Sequence, residues 1–203
     1  VDKGNYRHFM LKEIHEQPDV LSRTFGQYVQ PEEQTIRLPE HEIDWAKINR
    51  VVLVACGTAF FAAKVAGNWI ERYARIPASI DIASEFRYRE APMDKDCLAV
   101  FVSQSGETAD TLAALQHCKD HGLPTVGVVN VPDSSMTREV DVTFPTYAGP
   151  EIGVASTKAF TAQLGALAAL AIGIGRSKNT ISEAEEARLC DLLLTTPRLC
   201  DEV

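Results

Sequence analysis

The sequence predicts a three-layer α/β domain built around a five-stranded parallel sheet. Residues 51–55, 98–102 and 125–129 are short, apolar and rich in β-branched side chains, which is typical of strands covered on both faces. Helical patterns separate these strands, and strands that alternate with helices form parallel sheets with helices on both faces. We therefore expect a doubly wound, flavodoxin-like arrangement with additional N-terminal helices.

The elements can be assigned in chain order. Residues 5–29 are predicted to be helical with a break near Pro18, and residues 30–50 form a polar connector with a short helix around 43–48. Weaker strands are expected at 78–82 and 141–144, which complete the five. Helices are expected after the first strand to about residue 73, from 108 to about 121, from about 156 to 175, and over 182–196 with a capping box of Ser182 and Glu185.

Three parts of the chain are predicted from these elements: an N-terminal helical segment over 1–44, the α/β domain over 45–180 and a C-terminal helix over 181–203. Residues 159–175 carry no charge, the longest such run in the sequence. This run falls short of the roughly 20 apolar residues that cross a bilayer, and it contains threonine and glutamine. We interpret it as a buried helix and expect no membrane association.

Composition and charge exclude several classes of function. The chain is 45% apolar and 24% charged, which is ordinary for a globular protein. Its net charge of −8 excludes a general electrostatic attraction to nucleic acid, so any bound anion must be held locally by N–H groups and hydroxyls. The five cysteines are odd in number and include no CxxC pair, which argues against a disulfide framework or a zinc ribbon and fits the cytoplasm.

Three loops rich in glycine and hydroxyl groups lie where open α/β sheets bind ligands, at residues 56–58, 103–108 and 153–158. Each precedes a helix N-terminus, whose free N–H groups and partial positive charge suit a phosphate. There is no GxGxxG or GxxxxGK[ST] motif, so neither a dinucleotide site nor a P-loop is predicted.

The loop at 103–108 is the strongest of the three candidates. Ser103, Ser105 and Thr108 supply three hydroxyls where a helix cap needs only one, and Gly106 permits a tight turn. The loop contains no Lys or Arg, which suits a phosphate monoester better than a nucleoside triphosphate. For Thr58 alone, a helix cap is the more common role of such a residue.

Other reactive side chains carry weaker signals. Cys56 ends a strand beside a helix N-terminus, but without a nearby histidine base we interpret it as a small buried turn residue. His117 and His121 have a spacing that can ligate zinc, yet no third ligand is evident, so no metal is expected.

Several blocks of this sequence resemble the glucosamine-6-phosphate synthase family, in the first of its two sugar isomerase (SIS) repeats with the preceding helices. They run from about residue 4 to 175 and comprise Arg7-His8-Phe9-Met10, Lys12-Glu13-Ile14, Glu16-Gln17-Pro18, Ala55-Cys56-Gly57-Thr58, residues 83–89, residues 103–111 and residues 151–160. The resemblance implies a part of an enzyme that makes glucosamine 6-phosphate from fructose 6-phosphate and glutamine, without metal or cofactor. It also implies a homodimer and a role in amino-sugar synthesis towards UDP-N-acetylglucosamine.

The same resemblance implies which residues contact a hexose 6-phosphate. They are Thr58, Ser103, Gln104, Ser105, Gly106, Thr108, Val154 and Ser156, with Cys56, Gly57 and Lys158 as weaker candidates. Ala59 departs from the serine common in the family. No catalytic residue is expected within residues 1–203, because the family's enolising glutamate, ring-opening histidine and Schiff-base lysine lie outside this repeat, as does the glutaminase domain. Lys158 is expected to have a structural role, with its side chain turned away from the strand ends or paired with Glu151.

Two alternatives share the loop at 103–108. One is a SIS sensor domain of a transcription regulator, which would need a basic helix-turn-helix segment that this sequence does not show. The block at 151–160 also argues against it. The other is a SIS-type phosphosugar isomerase or deglycase built on the same repeats.

Overall fold

The computed structural model describes residues 2–40 and 42–203 and contains eight α-helices, seven strands and one π-helical turn in these ranges. In chain order they are α1 (Phe9–His15), α2 (Gln17–Tyr28), β1 (Val29–Gln30), β2 (Thr35–Ile36), β3 (Arg50–Ala55), α3 (Gly57–Trp69), the π-helical turn (Ile70–Ala74), β4 (Ala78–Ile82), α4 (Ala83–Phe86), β5 (Cys97–Ser103), α5 (Ala109–Asp120), β6 (Thr125–Val129), α6 (Ser135–Glu139), β7 (Val142–Pro145), α7 (Lys158–Ser177) and α8 (Glu183–Asp201).

The predicted five-stranded parallel sheet is confirmed, with the strand order β4-β3-β5-β6-β7. The sequence enters at β3, moves to one edge through β4 and then returns across the sheet, so the strand order reverses between β3 and β5. In open α/β sheets the crevice at such a reversal, beside the carboxyl ends of the strands, is where ligands bind.

Helices cover both faces of this sheet. Alternate side chains of β3 divide between the faces: Leu53 packs towards α3 and α7, whereas Val54 packs towards α4 and α5. Strands β5 and β6 are buried along their whole length. Their apolar sequences are therefore explained by burial on two faces.

Helix α7 lies at the centre of the molecule, between the sheet and α2. It is long and apolar enough to cross a membrane, but 78% of its most apolar window is buried by the rest of the chain. Small residues allow the close packing: a Cβ at Gly165 would lie 3.1 Å from the Phe25 ring, and one at Gly173 would lie 2.5 Å from Leu38. The predicted buried helix is confirmed as a core helix of this fold.

The connector before the sheet differs from its prediction. The short helix predicted around 43–48 is replaced by a turn at residues 45–47, where Trp45 and the following Ile48 bury their side chains in the core. A small antiparallel pair between β1 and β2 was not predicted, nor were the short helices α4 and α6.

The helix boundaries at the two ends agree better with the sequence. The predicted break near Pro18 is confirmed, because α1 ends at His15 and Pro18 stands in the first turn of α2. The predicted cap of the last helix is also confirmed, since Ser182 Oγ accepts a hydrogen bond from Glu185 N at 3.1 Å. That helix continues to Asp201, five residues beyond its predicted end at residue 196.

Candidate functional site

A cavity of about 340 Å³ lies at the carboxyl ends of β3 and β5, where the strand order reverses. It is lined by Cys56, Thr58, Ala59, Val102, Ser103, Gln104, Ser105, Thr108, Thr111, Glu151, Gly153, Val154, Ser156 and Gln163. The structure thus brings together eight of the predicted site residues from three separate loops. Gly57, Gly106 and Lys158 do not line the cavity.

The loop at residues 103–108 is held by hydrogen bonds from its own amides. Ser103 Oγ accepts from Gly106 N at 2.9 Å, and Ser105 Oγ accepts from Glu107 N at 3.2 Å. Because each serine accepts from the loop, its hydroxyl proton can donate to another group. For Ser103 that group can be Thr108, whose Oγ1 lies 3.4 Å from Ser103 Oγ and can equally be the donor. Thr108 occupies the N-cap position of α5 but makes no side-chain cap bond, so its hydroxyl is not consumed by the helix.

Gly106 shapes this loop without touching the cavity. Its φ is +68°, and an added Cβ would lie 2.2 Å from Ser134 Oγ and 2.9 Å from a methyl of Val129. The following residue, Glu107, turns away and accepts a hydrogen bond from Ser135 N at 2.7 Å. The backbone and side-chain hydrogen bonds of Ser135 hold the pKa of Glu107 below its usual value, and the negative charge stays off the cavity wall.

The N-terminus of α7 is already occupied by a carboxylate from its own loop. Glu151 Oε1 accepts from Thr157 N at 2.9 Å and from Ala159 N at 3.1 Å, while Oε2 accepts from Ser156 Oγ at 3.1 Å. The expectation that all three loops offer free N–H groups is therefore wrong for this one. Val154 in the same loop has a fully exposed side chain, so a contact from it would come from its backbone.

Lys158 is buried and pairs with a residue from the N-terminal helices. Its Nζ lies 2.6 Å from Glu16 Oε2, and only 5% of the residue is exposed. Of the two arrangements expected for Lys158, pairing with Glu151 is wrong, because Glu151 is held by the amides of α7. The other arrangement, a side chain turned away from the strand ends, agrees with its pairing to Glu16 and its absence from the cavity wall. Partial burial raises the pKa of Glu16, but the hydrogen bond and charge of Lys158, with a smaller effect of Lys12, more than offset it, so the pKa lies below its usual value.

The loop at residues 56–58 also differs from its prediction. Cys56, not Thr58, occupies the N-cap position of α3, because the helix begins at Gly57, whose φ is +59°. Thr58 lies in the first turn and faces the cavity. Cys56 was expected to be a buried turn residue, and it is instead half-buried on the cavity wall.

Sequence reasoning missed two polar cavity residues that lie outside the predicted loops. Thr111 and Gln163 are almost fully buried, and Thr111 Oγ1 and Gln163 Oε1 have no hydrogen-bond partner among the described residues. An unsatisfied buried polar atom costs about 1–3 kcal/mol, so a bound group that donates to it would recover that free energy. Gln163 could have been found from the sequence, because it is a polar amide in the charge-free run at 159–175.

The two histidines lie away from this site. His121 Nδ1 is within 2.8 Å of the carbonyl oxygen of His117, and the two rings contact one another. Across residues 2–40 and 42–203 there is no group of three or more His, Cys, Asp or Glu side chains that could hold a metal ion.

Comparison with known proteins agrees with the fold and with the motifs. The sequence profile of the SIS domain family matches residues 45–173. The chain belongs to the SIS domain family. The matched SIS region contains all three loops of the cavity, whereas α1, α2 and α8 lie outside it.

The relatives of this SIS domain are much longer proteins. The chain is 54% identical over 203 residues to glutamine–fructose-6-phosphate aminotransferase (isomerizing) of Brucella abortus biovar 1 (strain 9-941), and 55% identical over 197 residues to the protein of that name from Zymomonas mobilis subsp. mobilis. It covers 33% and 32% of their lengths. The chain thus spans about a third of these relatives, and the predicted resemblance is confirmed.

Solved structures of similar fold include a domain of an aminotransferase. The C-terminal domain of glucosamine-fructose-6-phosphate aminotransferase from Francisella tularensis superposes with a TM-score of 0.93 at 42% identity, over 98% of this chain and 56% of that one. Glucosamine-6-phosphate deaminase from Thermotoga maritima superposes with a TM-score of 0.71 at 24% identity, over 94% of this chain and 54% of that one. The second likeness shows the fold alone.

Proposed function

We propose that this SIS domain binds the phosphate group of a hexose 6-phosphate on loop 103–108. We further propose that it does so as part of a longer enzyme that converts fructose 6-phosphate and glutamine into glucosamine 6-phosphate and glutamate. The names of relatives that are 54% identical over the whole chain support the reaction. The open N-terminus of α5 supports the position of the phosphate.

The observation that carries the proposal is the set of donors on this loop. Ser105 keeps a hydroxyl proton to donate. The hydroxyls of Ser103 and Thr108 contact each other at 3.4 Å, which leaves at least one proton of the pair to donate, and the α5 N-terminus adds backbone N–H groups. A hydrogen bond to a charged acceptor contributes about 1.5–3 kcal/mol, so a few such donors can hold a phosphate monoester without a lysine.

The sugar would then extend towards residues 151–156 and the buried amide of Gln163. Among the described residues that line the cavity, Glu151 is the one acidic side chain, and its oxygens are engaged by α7. Lys158 is buried against Glu16 and does not reach the cavity. We therefore propose that this domain supplies binding and orientation, while the base and the amine come from other parts of the longer enzyme.

Those other parts are proposed to be a second SIS repeat and a glutaminase domain. A homodimer in the cytoplasm is also proposed, as the family resemblance implies. A SIS sensor domain or a SIS-type isomerase or deglycase is not favoured, because relatives matching the whole chain share the aminotransferase name.

Isothermal calorimetry tests the phosphate site. Glucosamine 6-phosphate should bind, and glucosamine without its phosphate should bind far more weakly. The double variant Ser103→Ala/Ser105→Ala should weaken binding by about 2–4 kcal/mol, because two charge-assisted hydrogen bonds are lost. Ser84→Ala, in α4 and outside the cavity, is the matched control and should change nothing. An unchanged affinity in the double variant, or an anion seated elsewhere in a soaked crystal, would contradict the proposal.

An activity assay tests the proposed division of labour. The 203-residue chain, given fructose 6-phosphate and ammonia, should form no glucosamine 6-phosphate above the buffer rate. Treatment with borohydride should leave Lys158 unmodified, because its amine is buried against Glu16. Turnover, or a reduced sugar adduct on Lys158 in mass spectrometry, would show that this domain carries its own chemistry.

A further inference from the structure

A buried carboxylate from the first helix holds the loop that closes the cavity. We infer that Glu13 of α1 is a positioning residue for the sugar-phosphate site, fixing residues 151–157 in the shape that faces the ligand. This inference rests on the proposed function. It places part of the site's support outside residues 45–173, the region that matches the SIS family.

The contacts of Glu13 are specific to the loop backbone. Glu13 Oε1 accepts from Ile152 N at 2.6 Å and from Gly153 N at 3.1 Å, and Oε2 accepts from Gly153 N at 3.1 Å. The residue is only 2% exposed. Among residues 2–40 and 42–203 no Lys or Arg forms an ion pair with Glu13, so these two amides are the principal partners of a buried charge. Moving the loop would leave this buried carboxylate without its donors, which costs free energy, so Glu13 holds the loop in place.

The fit around Gly153 is equally tight. A Cβ on this residue would lie 2.5 Å from Glu13 Oε2, so the carboxylate and the loop backbone are in direct contact. Gly153 and its neighbour Val154 both line the cavity, and Val154 is a predicted ligand contact. A shift of the loop by about 1 Å would therefore move site groups directly. In enzyme reactions, a misplacement on that scale can lower the rate about 100-fold.

Two further side chains from the same stretch of the chain hold the start of α7. Glu16 pairs with Lys158 at 2.6 Å, and Gln17 Oε1 accepts from Thr161 Oγ1 at 2.6 Å. Within the loop, Glu151 accepts hydrogen bonds from Ser156, Thr157 and Ala159. The loop is thus held between Glu151 and the N-terminal helices, while its tip at Val154 is exposed.

The test compares Glu13→Ala with Glu186→Ala in the full chain. Glu186 is the control because it is also buried and accepts from a distant backbone amide, Ile36 N at 2.9 Å, but it lies outside the cavity. It differs from Glu13 in that it also pairs with Arg176 at 2.6 Å, so its removal is the stronger perturbation of a buried carboxylate. Calorimetry with glucosamine 6-phosphate gives Kd, and hydrogen exchange with mass spectrometry gives the protection of residues 151–157. Glu13→Gln is the variant to use if Glu13→Ala does not fold, because it keeps the size and one acceptor.

We expect Glu13→Ala to raise Kd by about tenfold or more and to speed exchange of the loop amides. Glu13→Gln should raise Kd by about threefold, and Glu186→Ala should leave both readouts unchanged. Equal Kd values and loop exchange in the Glu13 variants and the Glu186 control would overturn the inference while leaving the proposed function standing. Absence of glucosamine 6-phosphate binding by the unaltered chain would overturn both.

Discussion

The N-termini of α5 and α7 lie beside the same cavity, yet they differ in what satisfies their free N–H groups. At α5, the side chain of the capping residue Thr108 accepts no bond from the helix amides, and Glu107 turns away to Ser135. At α7, Glu151 folds back and accepts from the amides of Thr157 and Ala159. The first terminus is open to an anion from outside, and the second has an anion of its own.

This difference shows why helix N-termini alone do not identify a ligand site. Both helix ends carry the same partial positive charge and the same orphan N–H groups. What distinguishes them is the direction of one nearby glutamate in each loop. The open end offers unoccupied N–H groups to the proposed phosphate, whereas the closed end gives the cavity a fixed wall.

The largest expected effect comes from distorting the open terminus. Gly106→Ala should lower the free energy of unfolding by about 3 kcal/mol, because the residue has a positive φ and its Cβ would overlap Ser134. Gly122→Ala is the control, since its φ is +72° but no atom lies within 4 Å of the added Cβ, and strain alone should cost about 1–2 kcal/mol. Urea unfolding measures both. Equal losses would mean that the loop at 106 is not tightly packed.

A smaller effect is expected from removing the carboxylate at the closed terminus. Glu151→Ala should lower the free energy of unfolding by about 1–2 kcal/mol, because α7 loses its cap. Asp110→Ala, which removes an exposed acidic residue from the first turn of α5, should change stability by less than about 0.5 kcal/mol. Thermal and urea unfolding would give both values. A loss no larger at Glu151 than at Asp110 would remove the contrast between the two helix ends.

The ion pair outside the closed terminus predicts a pH dependence. The pKa of Glu16 is lowered in the folded state. Its contribution to the free energy of unfolding is therefore fully present above the unfolded-state pKa, and it is lost as the pH falls through the folded-state pKa. At pH 7, Glu16→Gln should be less stable than the unaltered chain by about 1 kcal/mol. Urea unfolding from pH 7 to pH 3 should show the two chains converging below the ordinary value of about 4.5. A difference as large at pH 3 as at pH 7 would contradict the pairing with Lys158.

The smallest expected effect concerns the N-terminus of α3, the third helix end near the cavity. It can be measured on the unaltered chain. Iodoacetamide should label the exposed Cys200 first and the half-buried Cys56 more slowly. Glucosamine 6-phosphate at a concentration equal to its Kd should slow labelling of Cys56 by about half, with Cys200 as the internal control. Burial raises the pKa of Cys118 to about 12 and of Cys190 to about 11, so these thiols should stay unlabelled. An equal rate of Cys56 labelling with and without glucosamine 6-phosphate would show that the sugar phosphate binds elsewhere.

Much of the fold was predictable because its signals are local. The strands at β3, β5 and β6 are apolar on both faces, and loops that contain glycine and hydroxyl side chains follow β3 and β5. That loop 103–108 would line the cavity was predictable for the same reason, since its hydroxyls lie within six residues of one another. The turn at 43–48 was not, because burial of Trp45 against the sheet overrides local helix propensity.

The sequence by itself determined the sheet, the family and the loops at the carboxyl ends of the strands, because each depends on residues close together in the chain. Only the tertiary structure decided the partners of the buried charges. Glu13 meets Gly153 across 140 positions and Glu16 meets Lys158 across 142, distances over which no local pattern specifies contact. A buried carboxylate must find donors wherever packing places them, and the choice among distant amides and amines is made when α1 and α2 dock against α7.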